Sequence, residues 1–393
     1  MYDAAIIGSG LGGLLTGAML AKEGKSVYIA EKLNFYGGRC TAFEYKGYQI
    51  PTGAIHMIPF SRGPMKQVIL DRLNIDIEFI DGGRAYVVHE DGTPEELTGN
   101  YTAKLFLKAS LGDKLAKQYM DSFYEFALGI RSSEFSYVEK LNYIRMIKKY
   151  GHPRTPQGGF GNLIKKLVKF IKDHGGEMHL STRAIDVLVD GNVANGILVY
   201  RLGNTEIIKA RNVISNIGPR LTAELLGKKR YLLGKQFIEK LKEHKTVPGI
   251  KIAVGCDHQV NPGPVTLTPF LKRVSGFSEP TIADPSLAPE GKHLILSHQE
   301  IRSSDINHEI ELGVQDIKSY IKDFDESCEI ISVHSYLNDH PVNHSPQGND
   351  FSQFTKIKHF YLVGDGVKPS GLLMTEGVAE SARIVADHIL EGK

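Results

Sequence analysis

The sequence predicts an α/β protein of two interleaved domains. One is a Rossmann-type domain assembled from both ends of the chain, and the other is an α+β domain threaded between them. Three observations carry this expectation. Residues 3–31 read strand, glycine turn, helix, strand, the opening unit of a dinucleotide-binding sheet. FYLVGDG (360–366) and the segment after it repeat the pattern of apolar strand, glycines and helix. A chain of 393 residues also exceeds what one hydrophobic core fills comfortably.

In chain order, DAAIIG (3–8) has the short unbroken apolar run of a buried strand. After the glycine turn, Leu14–Lys22 has helical spacing, and SVYIAE (26–31) is a second strand ending in an acid. From about Pro64 to Tyr150 the pattern turns mostly helical. Between Thr102 and Tyr150, Leu105, Leu111, Leu115, Tyr119, Phe123, Phe126 and Ile130 recur at spacings of three, four or six. The Pro/Gly-rich break GHPRTPQGGFG (151–161) ends that stretch, and Asn162–Asp173 resumes as an amphipathic helix. Strands at 183–189 and 193–200 flank the turn at Asp190-Gly191, and NVISN (212–216) is another short strand. Between about 247 and 337 strand-like runs such as Ile250–Gly255 and His293–His298 alternate with Pro-rich loops, before the last strand, Phe360–Gly364, and helix, Gly377–Leu390. The Rossmann-type domain is thus expected to take 1–60, 156–245 and 345–393. The second domain takes 61–155 and 246–344, with a cleft at their junction.

Composition narrows the class. A hydrophobic content of 41% with 23% charged residues fits a soluble globular protein, and a formal net charge of +2 gives no reason to expect a nucleic-acid partner. Cys40, Cys256 and Cys328 are far apart and form no CxxC pair. No disulfide framework and no metal site is therefore expected, and a reducing, cytoplasmic setting is the default. The apolar N-terminus lacks a basic n-region, carries Asp3 and is crowded with spaced glycines, so it reads as folded structure and not as a signal peptide. No run reaches the roughly 18 uncharged apolar residues of a membrane-spanning helix.

Gly8-Ser9-Gly10-Leu11-Gly12-Gly13 satisfies GxGxxG with glycines 8, 10 and 13. The first permits a tight turn, the second lets a pyrophosphate approach the backbone, and the third lets helix and strand pack closely. The anion then sits at a helix N-terminus, where free N–H groups and the helix dipole favour it. Glu31 closes the next strand, where a carboxylate can accept from ribose hydroxyls and disfavours a 2′-phosphate, so NADP is not expected. Gly37-Gly38-Arg39 adds a second glycine pair with a cation that can reach the same pyrophosphate. Gly364 and Asp365, at the end of the last strand, can serve a flavin ring and its ribityl chain. The glycines of PQGGFGNLIKKL (156–167) have no predicted strand before them and read as a structural turn or a lid. With no second GxGxxG unit, electrons are expected to travel through the substrate, oxygen, a quinone or a partner protein.

GSGLGG…EK…YGGR at the start, PQGGFGNLIKKL in the middle, and HPVNHSPQGND…FYLVGDGVKPSGLLMTEGVAESARIVA at the end resemble the phytoene desaturase and carotenoid isomerase group of the FAD-dependent amine oxidase superfamily. The resemblance implies a GR2-like Rossmann-type FAD-binding domain and a second α+β substrate domain, with FAD held non-covalently. It places Gly8, Gly10 and Gly13, with Leu11 and Gly12 between them, at the pyrophosphate. Glu31 falls at the adenosine ribose with Lys32 beside it, Gly38 and Arg39 at the phosphate, and Ala184 at the adenine. Pro51–Ile55, including Gly53, Ala54 and Ile55, runs past the flavin, and Gly364, Asp365 and Met374 flank the ribityl chain and ring. Thr52-Gly53 departs from the acid-x-glycine pattern common in that group.

Of the polar groups near the expected ring, His56 is the best catalytic candidate, although a packing histidine reads equally well. The Leu-, Phe- and Tyr-rich stretch 102–150 suits either a tunnel for a long apolar substrate or plain core. Lysines and arginines gather at 145–172 and 228–245, and the helix from Asn162 sets Ile164, Leu167, Val168 and Ile171 on one face. Such a surface either rests on anionic lipid, in peripheral membrane contact, or is a solvated helix packed on the first domain. The leading functional reading is an FAD-dependent oxidoreductase acting on a hydrophobic, polyene or isoprenoid substrate by hydride transfer at flavin N5, in desaturation, saturation or redox-gated isomerisation. Its alternatives are a flavin amine oxidase and a non-catalytic flavin-binding escort.

Overall fold

The opening strand, Tyr2–Ile7, is buried along its last four residues and pairs in parallel with Val27–Ala30 on one side and Asn204–Ser215 on the other. The structure is a computed structural model that describes residues 1–53, 62–130, 132–134, 136–151, 154–345, 351–372 and 374–392. The first sheet runs in the order Thr182–Asp190, Val193–Arg201, Asn204–Ser215, Tyr2–Ile7, Val27–Ala30, Glu177–His179. Phe360–Leu362 also pairs in parallel with Asn204–Ser215. Strands from the two ends of the chain therefore meet on one central strand. The first helix spans Leu11–Lys22, three residues earlier than its apolar spacing suggests, because Gly10 already serves as its N-cap. It packs against the helices Gly159–Asp173 and Met374–Leu390, and all but one of its residues are buried. That two-sided burial explains why it lacks a polar face.

The second sheet is ordered Cys328–Tyr336, Gly249–Cys256, His293–Gln299, Val274–Ser278, Val265–Leu267, Ala85–Val88, Pro94–Glu96. Helices Gly99–Ser110, Lys114–Leu128 and Tyr137–Tyr150 gather on this side of the molecule, with Lys114–Leu128 against the sheet. Ile306–Tyr320 packs on the sheet through Ile317, against Ile250, Ile252 and Phe277.

One expectation needs refinement and another correction. The stretch from Pro64 to Tyr150 is mostly helical, but three short strands that the periodicity did not show, Phe79–Asp81, Ala85–Val88 and Pro94–Glu96, interrupt it. Ala85–Val88 pairs antiparallel with the nearby Pro94–Glu96 and in parallel with Val265–Leu267, far along the chain, and local periodicity cannot register the second partner. The expected absence of disulfides fails: Cys256 and Cys328 are bonded. They sit directly opposite each other in the register of two neighbouring antiparallel strands, so their 72-residue separation says nothing about their distance in space.

PQGGFG is preceded by a short strand after all, Arg154–Pro156, but that strand is antiparallel to Phe79–Asp81. The Gly158 N–H donates to the Asp284 carboxylate at 2.6 Å. A protein carboxylate thus takes the place an incoming phosphate would need, and the segment is a structural turn. The helix that follows buries Phe160, Leu163, Ile164, Leu167 and Ile171, so its apolar face is spent on the core and only its lysine side faces water. Among the described residues no helix is long and apolar enough to cross a membrane, and no cluster of His, Cys, Asp and Glu could hold a metal ion.

Candidate active site

The glycine turn at the end of the opening strand forms one end of a cavity of about 690 Å³, lined there by Gly8, Gly10, Leu11 and Gly12. Gly10 caps the first helix without any side-chain hydrogen bond, which leaves first-turn N–H groups for an anion. Gly13 stands behind this surface. A Cβ there would lie 2.4 Å from the Gly8 carbonyl oxygen, so its contribution is the closeness of helix to strand. Gly37 and Gly38, both left-handed at φ +100° and +57°, fold a second loop onto the first: the Gly37 N–H donates to the Ser9 carbonyl at 3.0 Å, and Gly38 lines the cavity.

Glu31 is buried and lines the same cavity, but its carboxylate is already engaged. One oxygen accepts from the Ser9 N–H at 2.8 Å and the Ser9 hydroxyl at 2.7 Å, and the other accepts from the Leu33 N–H at 2.9 Å. A carboxylate offers about four acceptor positions, so Glu31 ties the glycine loop in place and keeps capacity for one sugar hydroxyl. Lys32 and Ala184 line the wall near it, with Ala184 on the edge strand Thr182–Asp190.

At the other end, Gly364 backs directly onto the first loop: a Cβ on Gly12 would lie 2.9 Å from the Gly364 Cα. Asp365 gathers the charges. It accepts from Arg39 at 3.1 Å, from the His344 N–H at 2.6 Å, and from the buried Lys368 ammonium. Burial alone would raise its pKa, but Lys368 and Arg39 together hold the carboxyl well below the usual carboxylate range. Arg39, expected to face the phosphate, also donates to the Pro341 and Val342 carbonyls, both at 2.8 Å. It thereby staples the loop before the last strand to the wall of the cavity. Burial, reinforced by the Arg39 charge, pushes His344 down to about 3, so it is neutral. Met374 opens the C-terminal helix at φ +51°. Next to it, the buried Thr375 hydroxyl has no hydrogen-bond partner among the described residues and lines the cavity.

Gly53 lines the cavity too, and Thr52, which replaces the acid of the related pattern, bonds through its hydroxyl to the Gly38 and Thr41 carbonyls at 3.0 Å. Ala54, Ile55 and the catalytic candidate His56 lie outside the described residues. A group that the sequence reading passed over is present instead. Lys251, in the middle of the wholly buried strand Gly249–Cys256, donates to the Gly53 carbonyl. The signal was there, a lone cation inside GIKIAVGC. Burial pushes its ammonium down to about 7. Burial and then the Lys251 charge push the neighbouring His298 down to about 3.

The sign of the resulting pH dependence follows from the depressed pKa. Between about pH 7 and about pH 10 the unfolded chain, with an ordinary lysine, binds more protons than the folded one. Stability therefore rises with pH across that window, by up to about 1.4 kcal/mol per unit, and Lys251 adds no slope below it. Lys251→Met is expected to remove this slope, melting above the parent at pH 7 and no higher than it at pH 10. Equal pH dependence of the two melting curves would show that Lys251 is charged in the fold.

A second cavity, of about 720 Å³, lies against the first and shares Phe160 with it. Its walls come from the helical side through Phe106, Met120, Phe123, Tyr124 and Tyr143, and from the sheet side through Val265 and Leu296. Phe123, Tyr124 and Tyr143 meet edge to face, with centroids 5.4 to 6.4 Å apart. No parallel pair of rings is thus formed by these three. Among the described lining residues the one carboxylate is Glu96, which is paired with Arg84 at 3.0 Å.

Known proteins share this architecture. The family description "NAD(P)-binding Rossmann-like domain" matches residues 6–73, and "Flavin containing amine oxidoreductase" matches residues 99–390. An uncharacterised protein of Methanocaldococcus jannaschii is 32% identical over 98% of both chains. The crystal structure of an oxidoreductase from Methanosarcina mazei superposes with a TM-score of 0.88 at 28% identity, covering 98% of this chain and 99% of the other. A chloroplastic prolycopene isomerase of Daucus carota is 24% identical over 75% of this chain, which spans 60% of that longer protein.

Proposed function

Since the chain belongs to the flavin-containing amine oxidoreductase family, we propose that it holds one FAD, non-covalently, in the first cavity and uses it on a long apolar, isoprenoid-type substrate lodged in the second. Within that family the chain falls with the phytoene desaturase and carotenoid isomerase group. The residues fit the cofactor. The uncapped helix end at Gly10 and the glycine surface that a Cβ would fill suit a pyrophosphate. The spare acceptor position of Glu31 suits a ribose, and the Thr375 hydroxyl, without a partner among the described residues, suits the polar edge of a flavin ring. Cys40, which lines the first cavity beside Arg39, has its thiol pushed up to about 12 by burial, which keeps it protonated and unreactive toward a covalent link. When bound, the flavin supplies a two-electron acceptor or donor for hydride transfer.

The protein's own part is to position and to keep dry. Lys251 holds the Gly53 carbonyl beside the ring end, Phe160 stands between cofactor and substrate spaces, and the apolar second cavity excludes water around a carbon–carbon bond. One observation carries the substrate class: a cavity of about 720 Å³ with predominantly hydrocarbon and aromatic walls, whose charged lining among the described residues is Arg84, Lys148 and one carboxylate, Glu96, already paired with Arg84. An alkylammonium ion entering it would lose its water with no counter-charge to replace it. The electron partner is a quinone, oxygen or another protein.

Anaerobic mixing of the yellow protein with isoprenoid alkenes in detergent, with flavin absorbance followed, tests the assignment. Bleaching of the oxidised form indicates desaturation, and recolouring of the reduced form indicates saturation. Polyene isomerisation by the reduced form without net flavin change indicates isomerisation. Rapid bleaching by putrescine or benzylamine, with peroxide formed in air, would overturn the substrate class while leaving FAD in place.

A further inference from the structure

The sheet wall of the second cavity has a polar group set in the middle of hydrocarbon. Ala85, Val265, Ser278 and Leu296 lie side by side in the register of four neighbouring strands, and all four line the cavity. Two residues before Ser278, on the same face of its strand, a Cβ on Gly276 would lie 2.7 Å from the Phe126 ring. This face therefore looks toward the helix Lys114–Leu128. Ser278 is 5% exposed, and among the described residues its hydroxyl has no hydrogen-bond partner. Nearby hydroxyls differ. Ser275 donates to the His298 carbonyl at 3.0 Å, Thr268 to the Val274 carbonyl at 3.0 Å, and Ser122 to the Ser275 carbonyl at 2.6 Å. A serine or threonine satisfied by backbone is the ordinary case, and a buried hydroxyl without a partner calls for one from outside the chain.

A second such group stands on the helical wall. Tyr143 lines the cavity, is 1% exposed, and its hydroxyl also lacks a partner among the described residues. Burial raises its pKa, so the phenol keeps its proton and can donate. The charged lining tilts the same way: Arg84 and Lys148 can only donate, and the Glu96 carboxylate is paired with Arg84. We propose that the substrate is not a bare hydrocarbon, and that an oxygen function on its apolar chain accepts a hydrogen bond from the Ser278 hydroxyl. This rests on the second cavity being the substrate space and sharpens that reading from an isoprenoid to an oxygenated one. Anchoring one atom of a long chain also fixes how far the chain reaches toward Phe160, which the two cavities share. Ser278 thereby sets which carbon–carbon bond meets the flavin ring.

Matched ligands test this in the flavin-loaded protein. The probes are all-trans-geranylgeraniol, the corresponding aldehyde and carboxylic acid, and the same chain with the oxygen removed, each added in detergent. Binding is read from the perturbation of the flavin spectrum. The best oxygenated chain is expected to bind at least about tenfold more tightly than the hydrocarbon, and the ranking of the three oxygenated probes identifies which oxygen is seated. Ser278→Ala should lose that preference while keeping its flavin absorbance and its affinity for the hydrocarbon. Ser278→Thr, which retains a hydroxyl, should keep the preference. Equal binding of all the chains by the parent protein, or an unchanged preference in Ser278→Ala, overturns the oxygen seat and leaves the isoprenoid reading standing. Failure of every chain to bind, the hydrocarbon included, removes the substrate reading and this inference with it.

Discussion

Gly13→Ala is expected to yield a colourless protein. The added Cβ would fall 2.4 Å from the Gly8 carbonyl oxygen, 3.2 Å from the Ile6 side chain and 3.3 Å from Asn216. The first of these is backbone inside the central strands and cannot swing aside. The first helix must therefore back away from the sheet. Overpacking of this kind costs about 1–3 kcal/mol or more, and its larger consequence is geometric. The N–H groups at Leu11 and Gly12 ride on that helix, and anion binding at a helix end depends on their placement. FAD affinity should fall by at least about a hundredfold, read as the ratio of flavin to protein absorbance after purification and again after titration with FAD. Gly99→Ala, where a Cβ meets nothing within 4 Å, is the control that should stay yellow. A Gly13→Ala protein that retains full flavin would mean the turn does not hold the pyrophosphate.

Asp365→Ala should be the most destabilising single change in the site. It strips the carboxylate from a buried lysine, Lys368, and from Arg39, and removes the acceptor for the His344 N–H. Breaking a buried pair by deleting one member costs about 3–5 kcal/mol, because a charge is left behind without compensation, and a fall in melting temperature of about 4–6 °C is the expected scale for a chain of this length. The contribution is fully present above the ordinary carboxylate pKa of about 4 and is lost only in strong acid, since the folded group is held below that value. If the loss comes from the abandoned charge, Asp365→Ala combined with Lys368→Met should be more stable than Asp365→Ala alone. Parity of the single and double variants would assign the effect to packing.

What the sequence disclosed depends on how local each signal was. The glycine turn, the acid at Glu31 and the FYLVGDG segment were legible because strand, turn and helix follow one another within a few residues. The roles of those residues were less legible. Glu31 spends most of its acceptors on Ser9 and Leu33, and Arg39 holds Pro341, Val342 and Asp365, partners more than 300 residues away. The Cys256–Cys328 bond, the Lys251–Gly53 contact and the pairing of Ala85–Val88 with Val265–Leu267 share one reason for being missed. Each is made by an element from another part of the chain, and periodicity carries no record of that. Lys251 was the one case with a local clue, a cation where every neighbour is apolar.

The central strand Asn204–Ser215 takes Tyr2–Ile7 along one edge and Phe360–Leu362 along the other, and Gly12 of the first loop meets Gly364 from the far end of the chain in the wall of the cleft. During synthesis the amino-terminal half of that cleft waits, unfinished, while some 350 further residues emerge. Colour in this protein therefore reports completion: a ribosome-bound or prematurely stopped chain has no closed socket in which to keep its flavin.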